Sequence, residues 1–536
     1  MRFRTTVAAA VAAAGFAVLA LAGSASTSSL PAGFIDTLLA TGLDSPTAMA
    51  FGPNNRVLVT EQGGDLRVTA DANLNPTPFV HLSVDSDGER GLLGVAYDPS
   101  FSSNRFVYVY YTVPGSPPHN RVTRFTADPK GLLAVAGSET PIFDIDSLGG
   151  ATNHNGGAIH FGQDGKLYVA VGDNADGTNS QSLTTLKGKI LRINKDGTIP
   201  TDNPFYNDAT GDNRAIWALG LRNPFTFAFQ PGTGRLFIND VGETTFEEID
   251  DGLAGANYGW QDCEGACSPP DPAHTDPLFY YAHSGNPTPN GCAIVGGAFY
   301  NPATAYFPAS YVGKYFFSDL CSGWIYSINP ASPATATQFA TGISSPVDLQ
   351  VGPDGSLYYL ERGTGSIRRI SFQRPPTING FTPASGAVGT RVAVTGTYLA
   401  GTTGATLNAK SVPFTVFSDN EVKIRTPPGS TTGRIVLSTA AGSFRSRTPF
   451  TVTYSLTGFT PSSGPMGTVV TIKGVGFTNP STVKFHGVSP VNATFVSSSQ
   501  LRATVPAGAT TGTITVIRST GTPSMTDSAA AFTVTP

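Results

Sequence analysis

Along the first two-thirds of the chain, short apolar runs are punctuated by polar Gly, Asp and Pro turns, the pattern of strands joined by tight turns. The clearest stretch runs from Ala151 to Asp173. Gly156-Gly157 opens it and Ala158-Ile159-His160-Phe161 predicts a strand. Gln163-Asp164-Gly165 predicts a turn with a positive φ at its glycine, and Leu167-Tyr168-Val169-Ala170-Val171 predicts the returning strand. His160 reads as an exposed strand residue. A tight hairpin brings its far ends together, so His154 and Asp173 are expected to meet at one rim of a sheet. An imidazole beside a carboxylate is how a general base is held in one tautomer and orientation.

The same grammar recurs six times. An aromatic or apolar residue, a short Pro/Gly/Asp turn and a Val/Leu/Tyr strand appear from Phe51, Tyr97, Phe161, Phe229, Phe307 and Val351. Strands such as Lys189–Ile193 and Ser366-Ile-Arg-Arg-Ile370 are read as the ends of their copies. Several short strands per unit, repeated radially, leave no long open edge, so the expected fold is an all-β six-bladed β-propeller over residues 31–373. The long loops 173–187 and 258–291 are where function is expected. At Pro375-Pro376 the pattern changes. Ile378-Asn-Gly-Phe-Thr-Pro-Ala-Ser-Gly386 recurs as Leu456-Thr-Gly-Phe-Thr-Pro-Ser-Ser-Gly464, 78 residues on (458 − 380 for the Gly). Two immunoglobulin-like β-sandwich domains are expected, over 375–453 and 454–536.

Composition narrows the setting. Only 13% of the 536 residues are charged, against 61 Gly and 41 Pro, as in exported all-β proteins. Thirty-three basic residues against 37 acidic ones give no basic field, so no nucleic-acid partner is expected. Arg2 and Arg4 precede an apolar run from Val7 to Ala22, and Gly23-Ser24-Ala25 supplies small residues for cleavage. That predicts a signal peptide over 1–25, a secreted, extracellular protein and no membrane span after cleavage; the competing reading is an uncleaved anchor. Cys263, Cys267, Cys292 and Cys321 imply two disulfides in an exported chain. Three pairings are open; Cys263–Cys267 with Cys292–Cys321 is favoured. Zinc is the competitor, without a His cluster to support it.

Laid in order, Arg90-Gly-Leu-Leu-Gly94, His154, Asp173, Lys187-Gly-Lys-Ile-Leu-Arg-Ile193, Arg222-Asn-Pro224, Asp240-Val-Gly242 and Asn257-Tyr-Gly-Trp260 resemble the soluble glucose/sorbosone dehydrogenases. These are six-bladed propellers that use pyrroloquinoline quinone (PQQ) and calcium. The tail resembles the IPT/TIG immunoglobulin-like modules. The resemblance implies His154 as the base that takes a proton from a sugar hydroxyl, Asp173 as its orienter and Arg222 beside the reacting centre. It implies Glu89, Asn223 and Gly242 at the cofactor. A Ca2+ that polarises the quinone would lie at the Gly242 and Glu243 carbonyls, and a second, structural Ca2+ would draw on Glu248 and the Tyr258 carbonyl.

Leu320-Cys-Ser-Gly323 lacks the Lys, and Ser345-Pro-Val-Asp348 the arginines, that would clamp a tricarboxylate. The family's broader branch includes hedgehog-interacting-protein-like propellers. The alternative is therefore a non-catalytic propeller binding carbohydrate or protein at the cell surface. The expected partner is a small sugar or cell-surface carbohydrate, with a cell-surface protein reached through the IPT/TIG pair. Trp260 is expected as core, while Glu247-Glu248 carries the further reading of a solvated pair and Arg222 that of a tie between blades.

Overall fold

The computed structural model describes residues 28–70, 73–285, 289–439 and 441–536. The expected leader, 1–25, lies outside them. Six antiparallel sheets of four or five strands form the first part. Their first strands are Pro46–Phe51, Leu92–Tyr97, Ile159–Phe161, Pro224–Phe229, Ile294–Phe299 and Pro346–Val351, and each packs beside the next to line a central axis. The second strand of each sheet is buried on both faces between neighbouring blades, so Leu167–Val171 is apolar throughout rather than alternating.

One strand comes from far away. Phe34–Thr41 pairs antiparallel with Ser366–Phe372, from Phe34↔Phe372 to Thr41↔Ser366, and so completes the last blade. The Phe34 ring holds the seam, 4.8 Å from Phe372 and 4.7 Å from Phe307. The fourth strands also correct the sequence reading. Lys189–Ile193 is followed by Ile216–Leu219 rather than ending its blade.

The six inner strands end on Phe51, Tyr97, Phe161, Phe229, Phe299 and Val351. In the fifth blade the repeat position is therefore Phe299, not Phe307. Phe307 lies in the long excursion before Tyr315–Asp319 and is buried by stacking on Tyr300 at 4.3 Å. The six end residues rim a funnel of about 360 Å³ with His160 at its base. His160 is thus not an outward-facing strand residue: it lines the axial channel, packs edge-on against Phe227 at 4.9 Å, and burial lowers its pKa to about 4.

Asp348 also lines the channel, accepting the Met49 N–H at 2.8 Å, and burial raises its pKa to about 7. A carboxyl raised on folding contributes stability that is fully present below its unfolded pKa and lost as pH rises through 7. Asp348→Asn is expected to flatten the fall in Tm between pH 5 and pH 8, measured by calorimetry.

The second part holds two copies of one sandwich. Thr377–Thr382 and Arg391–Thr397 recur as Ser455–Thr460 and Val469–Val475, each 78 residues on (455 − 377, 469 − 391). Alternate residues such as Val392 and Val394, or Val470 and Ile472, fill the two cores. Among the described residues no helix is long and apolar enough to cross a membrane.

Candidate active site

The hairpin does what its sequence implies. Ile159–Phe161 pairs with Leu167–Val171 in the register His160↔Tyr168, and Gly165 turns the chain at φ 73°. Past its open end, His154 Nδ1 lies 2.8 Å from Asp173 Oδ1. Both side chains are buried, His154 at 8% exposure and Asp173 at 1%. Gly172 permits this approach, because a Cβ there would collide with the His154 carbonyl. His154 itself has φ 55°, a left-handed conformation that costs a side-chain-bearing residue about 1–2 kcal/mol.

Asp173 is fully engaged. Its Oδ1 also accepts the Ala175 N–H at 2.7 Å, and its Oδ2 accepts the Trp260 indole N–H at 2.9 Å. Trp260 is therefore half-buried and part of the site rather than core. With Nδ1 held by the carboxylate, His154 Nε2 has no hydrogen-bond partner among the described residues. That nitrogen is left as a proton acceptor.

Arg222 and Asn223 start the next blade. Asp240 Oδ2 and Oδ1 accept their backbone N–H groups at 2.8 and 2.6 Å. Asn223 Oδ1 accepts the Gly156 N–H at 3.1 Å, which ties this blade to the His154 segment. Arg222 Nη1 donates to the Val241 and Gly242 carbonyls at 3.0 and 2.6 Å, its Cζ lies 5.5 Å from the Trp260 ring centroid, and its Nε is buried without a partner among the described residues. The tie between chain segments and the position beside the dyad are both present.

Beside these groups a cavity of about 170 Å³ opens, with Glu89, Asn223, Val241, Leu320 and Arg362 in its wall. His154, Asp173 and Arg222 adjoin it without lining it. Glu89 Oε2 accepts the His154 N–H at 2.8 Å, linking wall to dyad. Arg362 was missed by sequence reasoning. Its guanidinium donates to the Ser45 carbonyl at 2.9 Å and to Gln62, and burial lowers its pKa. A signal existed: Glu61, Asp240, Asp319 and Glu361 all end second strands, and Arg362 follows Glu361 at the offset by which Val241 and Leu320 reach the cavity. Arg90, by contrast, is committed to Asp85 and to the Gly149 and Ala151 carbonyls.

Residues 43–369 match the Glucose / Sorbosone dehydrogenase family model. The chain belongs to the glucose/sorbosone dehydrogenase family. Residues 376–454 and 455–534 each match the IPT/TIG domain. The aldose sugar dehydrogenase YliI of Escherichia coli is 29% identical over 352 residues, 61% of this chain and 90% of that protein. The quinoprotein glucose dehydrogenase B of Acinetobacter calcoaceticus is 30% identical over 262 residues, 43% of this chain and 53% of that one. The PQQ-bound aldose sugar dehydrogenase of Streptomyces coelicolor superposes with TM-score 0.54 at 25% identity, covering 64% of this chain and 99% of that one. Mouse hedgehog-interacting protein is 28% identical over 211 residues, 34% of this chain and 30% of that one.

Whether this glucose/sorbosone dehydrogenase-family chain can hold a divalent cation is testable on its own residues. Asp240, Glu248 and Asp250 offer carboxylate oxygens within 4.8 Å of one another, and all three are buried. Glu248 accepts the Gly265 N–H, and neither Asp250 oxygen has a hydrogen-bond partner among the described residues. Burial, then the neighbouring carboxylates, raises Glu248 and Asp250 well above the usual range, and burial brings Asp240 to about 7. Buried, underpaired oxygens of this hardness fit a calcium ion. Glu247 and Glu248 are accordingly buried rather than solvated, Glu247 lying 2.7 Å from His283 Nε2. Tyr258 is buried, its hydroxyl donating to the Asp251 carbonyl at 2.7 Å. Glu243 is exposed and enters through its backbone.

For a tricarboxylate the available cations are Arg362 in the cavity wall and Arg222 beside it, which fit an anion without supplying a full clamp. Cys263 pairs with Cys267 and Cys292 with Cys321. A histidine does accompany the first pair: His274 Nδ1 lies 4.0 and 3.7 Å from its two sulfurs.

Proposed function

We propose that the propeller is an exported dehydrogenase that oxidises the anomeric hydroxyl of an aldose using PQQ and calcium. The observation that carries this reading is the buried His154–Asp173 pair, its Nε2 unpartnered, beside a cavity at the mouth of this family's propeller. The quinone would supply the acceptor for hydride from the sugar's C1. His154 Nε2 takes the hydroxyl proton. Asp173 stabilises the imidazolium that forms and keeps the ring in the required tautomer. Glu248, Asp250 and Asp240 would hold a structural cation, and Arg362 and Arg222 would meet the cofactor's carboxylates. Leader-like residues 1–25 and the paired cysteines support export.

The test adds PQQ and calcium to the mature protein and measures dye reduction across a panel of aldoses. Saturable cofactor binding and sugar-dependent reduction support the reading; silence in both removes it. Trp260→Phe keeps an aromatic ring but removes the hydrogen bond from the indole N–H to Asp173 Oδ2, an interaction worth about 1.5–3 kcal/mol. A fall in kcat of about tenfold or more is expected in steady-state assays.

A second reading is a propeller that binds carbohydrate or protein without turnover. It is favoured by Arg222 filling the Val241 and Gly242 carbonyls and by the likeness to hedgehog-interacting protein. Equilibrium titration of PQQ separates the two.

A further inference from the structure

The loop that follows Trp260 touches the site twice, and the Cys263–Cys267 disulfide sits between the two contacts. Upstream, the disulfide packs on Gly259: a Cβ there would lie 2.7 Å from Cys263 Sγ, and the next residue is the tryptophan that holds Asp173. Downstream, Glu264 and Gly265 are two of the three residues enclosed by the bridge. Glu264 Oε1 accepts four consecutive backbone N–H groups, from Glu243, Thr244, Thr245 and Phe246, at 2.7, 3.1, 3.1 and 3.2 Å. Gly265 N–H reaches Glu248.

Residues 243–245 are otherwise exposed, and no other partner for their N–H groups is present among the described residues. A single carboxylate oxygen therefore sets the path of the segment whose first carbonyl, on Gly242, takes the Arg222 guanidinium. A carboxylate in a nest of backbone N–H groups is a strong, geometrically demanding contact. It requires the side chain to be presented at one height and angle, which the bridge fixes by closing the turn beneath it.

We propose that Glu264 is the positioning residue for the Gly242–Phe246 loop, and that the Cys263–Cys267 bridge holds it there, making the loop's order dependent on thiol redox state. Reduction by a dithiol transfers two electrons and two protons to the bridge, giving two thiols here and a disulfide in the reductant. The freed turn then releases Glu264, and the four N–H groups pass to water. The functional consequence rests on the dehydrogenase reading, but the positioning itself does not.

The experiment is hydrogen–deuterium exchange on the full chain for wild type, Glu264→Ala, Glu264→Gln and the double variant Cys263→Ala/Cys267→Ala, with wild type also measured in dithiothreitol. Amides 243–246 are expected to exchange at least tenfold faster in Glu264→Ala, in the cysteine double variant and in reduced wild type. Glu264→Gln, which keeps an acceptor oxygen, should recover part of the protection. Unchanged protection of Phe237 and Ile249 in the adjacent strands shows that the variants are folded. Unchanged exchange at 243–246 in Glu264→Ala, or in the cysteine variant, overturns the proposal. In the loaded enzyme, the calcium concentration for half-maximal activity should rise about tenfold in Glu264→Ala and less in Glu264→Gln. A wild type with no activity would sink the dehydrogenase reading and leave the exchange result to decide the positioning.

Discussion

His154→Ala is expected to lower kcat for aldose oxidation by about a thousandfold, within the range that general-base catalysis supplies, with KM for the sugar changed by less than about threefold. Nδ1 is held by Asp173 at 2.8 Å, which leaves Nε2 as the acceptor for the hydroxyl proton. No other histidine shares this rim: His160 lies in the axial channel and His283 is paired with Glu247. Alanine keeps a Cβ at the left-handed position, so the substitution leaves the backbone cost at φ 55° in place and the fold intact. Circular dichroism should show an unchanged melting profile within a few degrees. Activity of His154→Ala within tenfold of wild type would remove His154 from the chemistry.

The second large effect concerns calcium and stability. Asp240, Glu248 and Asp250 crowd their oxygens within 4.8 Å behind the Gly242 loop, and both oxygens of Asp250 lack a hydrogen bond among the described residues. A bound cation would relieve that repulsion, and binding to the folded state alone stabilises by about 2.7 kcal/mol at a hundred times the dissociation constant. For a domain of this size that corresponds to a rise in Tm on the order of 5 °C. Asp250→Asn should cut the calcium-induced rise to less than half. It should also raise the Tm of the calcium-free protein, because it removes a buried acid that cannot ionise cheaply. Differential scanning calorimetry with calcium and with a chelator reads both. A calcium shift of full size in Asp250→Asn would remove these carboxylates as ligands.

The fold was legible in the sequence wherever turns carry chemistry. The Gln163-Asp164-Gly165 turn and the 78-residue shift in the tail are local signals that tertiary packing had no reason to override. The fifth blade was misread because Phe307-Pro imitates the repeat, while the true position, Phe299, is followed by a long excursion. Phe34–Thr41 carries no turn signal that points to a partner more than three hundred residues on, so its pairing could not be read locally. At the site, the His154–Asp173 meeting followed from hairpin geometry. Trp260, Arg362 and Glu264 were missed because each reaches the site from another blade or loop, through contacts set by the ring and not by spacing.

The seam at Phe34–Thr41 has a consequence for biosynthesis. Phe34–Thr41 leaves the ribosome early and must wait, with its edge unsatisfied, until Phe372 has been made before the last blade can form. Until then five finished sheets can assemble only an open arc, whose two raw ends invite wrong partners. A chain cut short before residue 366 is thus expected to clump rather than fold, however complete its first five blades.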